Sequence, residues 1–96
     1  MDIESLAENI DRATTIDVPS RGLILNLYYA ARKTQGRPLT LMAAESLKKR
    51  VHAGDMVLIT TGFIIPPWMV PETDGPLGTS ILARALDLAL EARTVV

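Results

Sequence analysis

Met56-Val57-Leu58-Ile59-Thr60-Thr61-Gly62-Phe63 decides the fold class of this 96-residue chain. It is a short apolar run, rich in β-branched residues, set between the turn Ala53-Gly54-Asp55 and a glycine. A strand apolar on both sides belongs in a parallel sheet covered by helices on both faces. Downstream, Ile64–Thr73 contains Pro66, Pro67 and Pro71 and reads as a stiff loop without regular structure. Asp74-Gly75-Pro76 then opens a helix, because proline fits the first helical turn, where an amide hydrogen has no partner. Pro76 also keeps Gly75 out of the α region, which suits a cap. Along that helix Ser80, Arg84, Asp87 and Glu91 form a narrow polar stripe. Ile81, Leu82, Ala85, Leu86, Leu88, Ala89 and Ala92 cover the rest, so the helix is expected to be mostly buried. Arg93-Thr94-Val95-Val96 reads as the start of a second strand, giving a β-α-β crossover.

Upstream the period is helical. Asp2 can cap a helix whose Ile3, Leu6, Ala7 and Ile10 share a face. Ser20 can cap a second helix over about 21–34, with Ile24, Leu27, Tyr28 and Ala31 as its stripe and Gly36 and Pro38 as its stop. Thr40 can cap a third, with Leu41, Ala44, Leu47 and Val51 inside and Glu45, Lys48 and Lys49 outside. The expected architecture is therefore α/β: a helical lead-in over 1–55, then a β-loop-α-β unit over 56–96 belonging to a parallel, Rossmann-like sheet. Two strands do not make a stable sheet. A strand ending after a few residues leads us to expect a partial domain, completed by its remainder or by a second chain.

Composition narrows the function. The chain is 48% hydrophobic and 22% charged, its mean hydropathy is +0.21, and its net charge is −1. So apolar a small chain has more greasy surface than it can bury alone, which predicts a partner surface or a homo-oligomer. The charge offers no nucleic-acid footprint, and Phe63, Trp68, Tyr28 and Tyr29 are few for a stacking platform. Without cysteine there is no disulfide, thiolate nucleophile or thiolate metal site. No apolar run approaches the ~20 residues that span a bilayer, and no signal peptide is visible. A cytoplasmic protein without membrane partners is expected.

The chemistry-bearing stretch is Thr60-Thr61-Gly62-Phe63 with Pro71-Glu72-Thr73-Asp74-Gly75-Pro76-Leu77-Gly78. It joins the carboxyl end of a parallel strand to the amino end of the next helix, where open sheets bind ligands and free amides favour anions. Gly75 and Gly78 allow close approach, and Thr60, Thr61 and Thr73 supply hydroxyls. Glu72 and Asp74 could bind a hard cation, a substrate amine or a proton in transfer. Singly, each has a plainer reading: Asp74 a cap, Gly75-Pro76 a turn, Gly62 a strand end. Their convergence favours a site. No Walker loop or dinucleotide fingerprint is present. His52 reads as a helix-end residue, Trp68 as an aromatic anchor for its loop, and Lys48-Lys49-Arg50 as a solvated face. Arg21 and Asn26 could reach a ligand or simply be solvated.

Val57–Phe63, Glu72–Gly78 and Leu82-Ala83-Arg84-Ala85-Leu86 together resemble the D-glutamate cyclase-like domain, as do Arg21-Gly22 and the helix around Ala43-Ala44. The resemblance runs from about Arg21 to Val96 and matches the opening third of that domain. It implies a lyase that closes D-glutamate into 5-oxo-D-proline with loss of water. In that reading Glu72 and Asp74 are catalytic, or hold a divalent cation. Thr60, Thr61, Gly62, Thr73, Gly75, Gly78 and Arg21 bind the small anionic substrate.

Overall fold

Asp2 takes extended backbone at φ −75°, ψ 163°, and its carboxylate accepts the Ser5 amide at 2.9 Å and the Ser5 hydroxyl at 2.8 Å. An acidic N-cap of this kind satisfies an amide that helical bonding leaves orphaned, and α1 follows over Ile3–Thr14. In the computed structural model, which describes Met1–Val96, α2 (Ile24–Gln35) and α3 (Leu39–Arg50) come next. They are followed by β1 (Met56–Leu58), β2 (Ile64–Ile65), β3 (Val70–Pro71), α4 (Asp74–Leu90) and β4 (Arg93–Val95). The chain divides into two compact units, Met1–Leu47 and Lys48–Val96.

In the first unit the interior is organised around a carboxylate. Ala7 and Asp11, one turn apart on α1, are its buried residues, and Asp11 is 2% exposed. Asp11 Oδ2 accepts the Leu39 amide at 2.7 Å, and Oδ1 accepts the Thr40 amide at 2.9 Å and the Thr40 hydroxyl. The buried Tyr28 of α2 donates its phenol to Oδ2 at 3.3 Å and to Glu8 Oε1 at 3.1 Å. Asp11 thus caps α3 from another helix, and Thr40 is not the cap that its position predicts. Thr40 lies inside α3 and contributes a donor instead. Around this centre Arg32 pairs with Glu8 at 3.2 Å. Arg37 makes a two-pronged bond to Glu45, both arms 2.9 Å.

The expected start of α2 also moves. Ser20 does not cap it, and the helix begins at Ile24 behind Leu23, which makes no side-chain cap bond. The segment before it is a closed loop in which Asp17 Oδ2 accepts the Gly22 amide at 2.5 Å and Ser20 sits at φ 53°. Asn26 spends its amide on the Gly22 carbonyl at 2.8 Å, which explains a polar residue in the apolar run. Gly36 ends α2 in the left-handed region, as expected.

In the second unit β1 and β4 pair in parallel, with Met56 opposite Arg93, Val57 opposite Thr94 and Leu58 opposite Val95. The Gly54 amide donates to the Glu91 carbonyl at 2.9 Å, Arg93 to Asp55 at 2.8 Å and Ile59 to Val95 at 2.8 Å. The turn before β1 is therefore bonded to the end of α4. The architecture is mixed helix and strand, with a two-stranded parallel sheet. The loop expected to lack regular structure holds a small antiparallel ladder, Ile64 to Pro71 and Ile65 to Val70. Pro71 fits because its missing amide hydrogen falls at a strand edge.

The expectation that α4 is mostly buried does not hold. Leu86 alone is buried on α4, with Ala92 buried beyond it, while Ile81 and Leu88 are 64% and 66% exposed. Trp68, expected as an anchor, is 73% exposed. The sheet face carrying Met56 and Leu58 is likewise open. Apolar periodicity reports which face seeks cover; it does not guarantee that this chain supplies it. No helix is long and apolar enough to cross a membrane.

Burial of Asp11 favours protonation, but the bonds from Thr40, Leu39 and Tyr28 outweigh it, and the carboxyl is held below the ordinary aspartate value of 3.8. A depressed carboxylate contributes stability that is present above the unfolded value and lost as pH falls through the folded one. Asp11→Ala should cost about 3 kcal/mol, from a lost cap and orphaned donors, read by urea denaturation at pH 7. Asp11→Asn should flatten the loss of stability seen as pH falls below 3.8, measured by the same titration in acid.

Candidate functional site

The strand-end loop is built by two short ladders. Val57 and Leu58 deliver Thr60 and Thr61 to the carboxyl edge of β1. Gly62 then takes φ 120°, a backbone state that side chains rarely adopt, and turns the chain into the β2–β3 hairpin. The Glu72 amide closes the hairpin on the Phe63 carbonyl at 3.0 Å. The residues after β1 are thereby fixed beside those that open α4.

Thr61 lies close against Gly75. A Cβ added at Gly75 would collide with Thr61 Oγ1. Gly75 is helical, the second residue of α4 rather than its cap, and its missing side chain is what lets the Thr61 hydroxyl lie on the first turn. Nothing comparable crowds Gly78, whose added Cβ would meet open space. The N-cap position belongs to Thr73, whose side chain makes no capping bond. Asp74 follows it as the first helical residue, an exposed carboxylate at the positive end of the helix.

Glu72, Thr73 and Asp74 line a cleft of about 460 Å3 whose apolar wall is Ile65, Val70 and Pro71. The structure therefore brings together Glu72, Thr73 and Asp74, and separately Thr61 with Gly75. Thr60 is exposed at the end of β1, and Gly78 is exposed one turn into α4. Arg21 lies in the first unit, exposed in the loop that Asp17 closes. No basic side chain lines the cleft, so its field is negative apart from the amides of α4. No group of three or more histidine, aspartate or glutamate side chains is placed to hold a metal ion. A divalent cation would find only Glu72 and Asp74 as side-chain carboxylates here. His52 is a surface residue whose Nδ1 lies 3.5 Å from Asp55 Oδ2.

Two features of the site were not read from the sequence. One is the hairpin that forms its apolar wall, masked by the proline content of the segment. The other is the Thr61–Gly75 approach, which joins residues far apart in the chain and leaves no local signal beyond the glycine.

A parallel strand pair with a hairpin and a helix between its strands, and with carboxylates and hydroxyls where the helix begins, is consistent with the α/β class. The chain matches the model of the family described as D-glutamate cyclase-like, C-terminal, over residues 10–96, and it belongs to that family. No curated protein and no solved structure matches it.

Gly75→Ala should destabilise the second unit by roughly 1–3 kcal/mol, the usual range for overpacking. Thr61→Ala in the same chain should recover most of that loss, because it removes the oxygen that the new methyl meets. A double-mutant cycle by urea denaturation reads the coupling. Additive losses would show that the two residues do not touch.

Proposed function

We propose that this chain carries the strand-end part of an amino-acid cyclase site, acting on D-glutamate or a related amino acid to form 5-oxo-D-proline and water. The observation that carries the proposal is family membership over residues 10–96, joined to a cleft at the start of α4 lined by Glu72, Thr73 and Asp74. In the reaction the neutral amine attacks the γ-carboxyl carbon, a C–N bond forms, and negative charge develops on oxygen. The C–O bond then breaks, and the oxygen leaves as water with protons taken from the amine and the medium. Two demands follow: an amine held at the right angle and unprotonated, and donors where the oxyanion forms.

The residues divide naturally between these demands. Glu72 and Asp74 suit the amine, as orienting groups and as acceptors of its proton. The amides at the start of α4 on either side of Pro76, which has none, with the Thr61 hydroxyl against Gly75, suit the oxyanion or a substrate carboxylate. Thr60, Gly62 and Thr73, in the same unit, complete the rim. The Rossmann-like extension of the parallel sheet belongs to this proposal, as does a covering polypeptide, either more of the domain or a second copy.

A second reading is favoured by the open apolar faces. Ile81 and Leu88 on α4, with Met56 and Leu58 on β1, suit a subunit whose main work is to complete a larger assembly. In a third reading the loop binds an anion or nucleotide as a sensor. Turnover distinguishes them. Incubation with D-glutamate and chromatographic detection of 5-oxoproline should show product. Asp74→Asn should lower kcat/KM by about 100-fold or more with its circular dichroism unchanged. An Asp74→Asn enzyme of full activity would end the catalytic role of that residue. Tight anion binding without product would favour the sensor, and solubility only beside a partner chain would favour the assembly.

A further inference from the structure

After Arg50 the chain has only two permanently positive side chains, Arg84 and Arg93, against five carboxylates at Asp55, Glu72, Asp74, Asp87 and Glu91. Both arginines line one groove of about 450 Å3 between the second half of α4 and β4, and Ala83 and Ala92 are among its lining residues. It shares no lining residue with the cleft at Glu72–Asp74. The positive charge of an otherwise acidic segment is therefore gathered in one place.

Neither guanidinium is spent. The ion pairs of the chain engage Arg32, Arg37 and His52, and no carboxylate lies within 4.0 Å of Arg84 or Arg93, although Asp87 is less than one turn from Arg84. A guanidinium is a planar fork of donors whose spacing matches two oxygens of a carboxylate or phosphate. One fork comes from a helix and the other from a strand, and the half-buried Thr94 adds a hydroxyl. Ser80 contributes an acceptor only, because its hydroxyl proton goes to the Pro76 carbonyl at 2.9 Å. Asp87 also lines the groove and repels a bare anion.

We propose that the Arg84–Arg93 groove is a second binding site, for the oxyanion group, phosphate or carboxylate, of a small molecule. Asp87 favours a ligand that carries a hydrogen-bond donor beside the oxyanion. The inference rests on the groove alone and stands or falls independently of the cyclase reading.

The test is a 15N NMR titration of the full chain with inorganic phosphate, with glutarate in parallel and sodium chloride at matched ionic strength. Saturable shifts within Ser80–Thr94, followed separately from any at Glu72–Gly78, are expected with at least one of the two probes. The probe that binds tighter assigns the group. Arg84→Gln and Arg93→Gln should each weaken that binding about tenfold, by loss of a charge-assisted fork, and the double variant should abolish it. Asp87→Asn should tighten it. Both arginines are exposed, so these variants should fold. Arg84→Lys and Arg93→Lys, which keep charge and lose the fork, should also bind more weakly. Shifts that follow sodium chloride without saturating, or binding unchanged in the double variant, would overturn the proposal.

Discussion

The carboxylate of Asp11 holds three helices of the first unit in one arrangement. It sits on α1, accepts the first amides of α3 and receives the phenol of Tyr28 from α2. A buried charge is costly unless its lone pairs are filled, and here they are filled by donors from two other elements. The constraint therefore runs both ways: α3 lacks its own cap and Asp11 lacks water, and each deficit is met by the other. Few apolar residues are buried in this unit, namely Ala7, Tyr28, Pro38 and Leu41. Specific polar geometry carries a larger share of its definition than a core of that size can.

In the second unit the corresponding constraint is steric. Glycine at position 75 allows the end of β1 to touch the start of α4. The Glu72–Phe63 bond closes the hairpin that fills the space between them. Main chain rather than side-chain packing sets the shape of the strand-end cleft. That suits a site whose ligand is met by backbone amides. The carboxylates of Glu72 and Asp74 then sit on a frame that does not depend on the exposed apolar residues around it.

How much of this was legible in the sequence follows from how local each signal is. The Asp2 cap, the stop at Gly36, the strand at Met56 and the helix opening near Asp74 are written within a few neighbouring residues, and all appear. The family, too, was legible from the Thr-Gly-Phe and Glu-Thr-Asp-Gly-Pro stretches. Asp11 was not, because a carboxylate on a helix face looks solvated until the amides of residues 39 and 40 are brought to it. The start of α2 was misplaced for a related reason: Asp17 reaches five residues forward to Gly22 and postpones the helix past Ser20. Burial of α4 was overstated because periodicity identifies an apolar face without identifying its cover. Of the candidate residues, Glu72, Thr73 and Asp74 line one cleft, whereas Arg21 lies in the other unit.

The parallel register of β1 and β4 also bears on the order in which the second unit can assemble. Met56 meets Arg93 across 37 positions of chain. Closing a flexible loop of that length costs about 3 kcal/mol, and the few main-chain bonds of so short a ladder, at about 1 kcal/mol each, leave little surplus once their residues are ordered. The 17 residues of α4 shorten the span, and their far end is bonded to the turn before β1 through Gly54 and Glu91. Ladder and helix therefore gain their stability together, as one cooperative unit. The strand-end cleft has no half-made form: whatever melts α4 also releases Thr61 from Gly75, and the carboxylates at the helix start lose their frame in the same event.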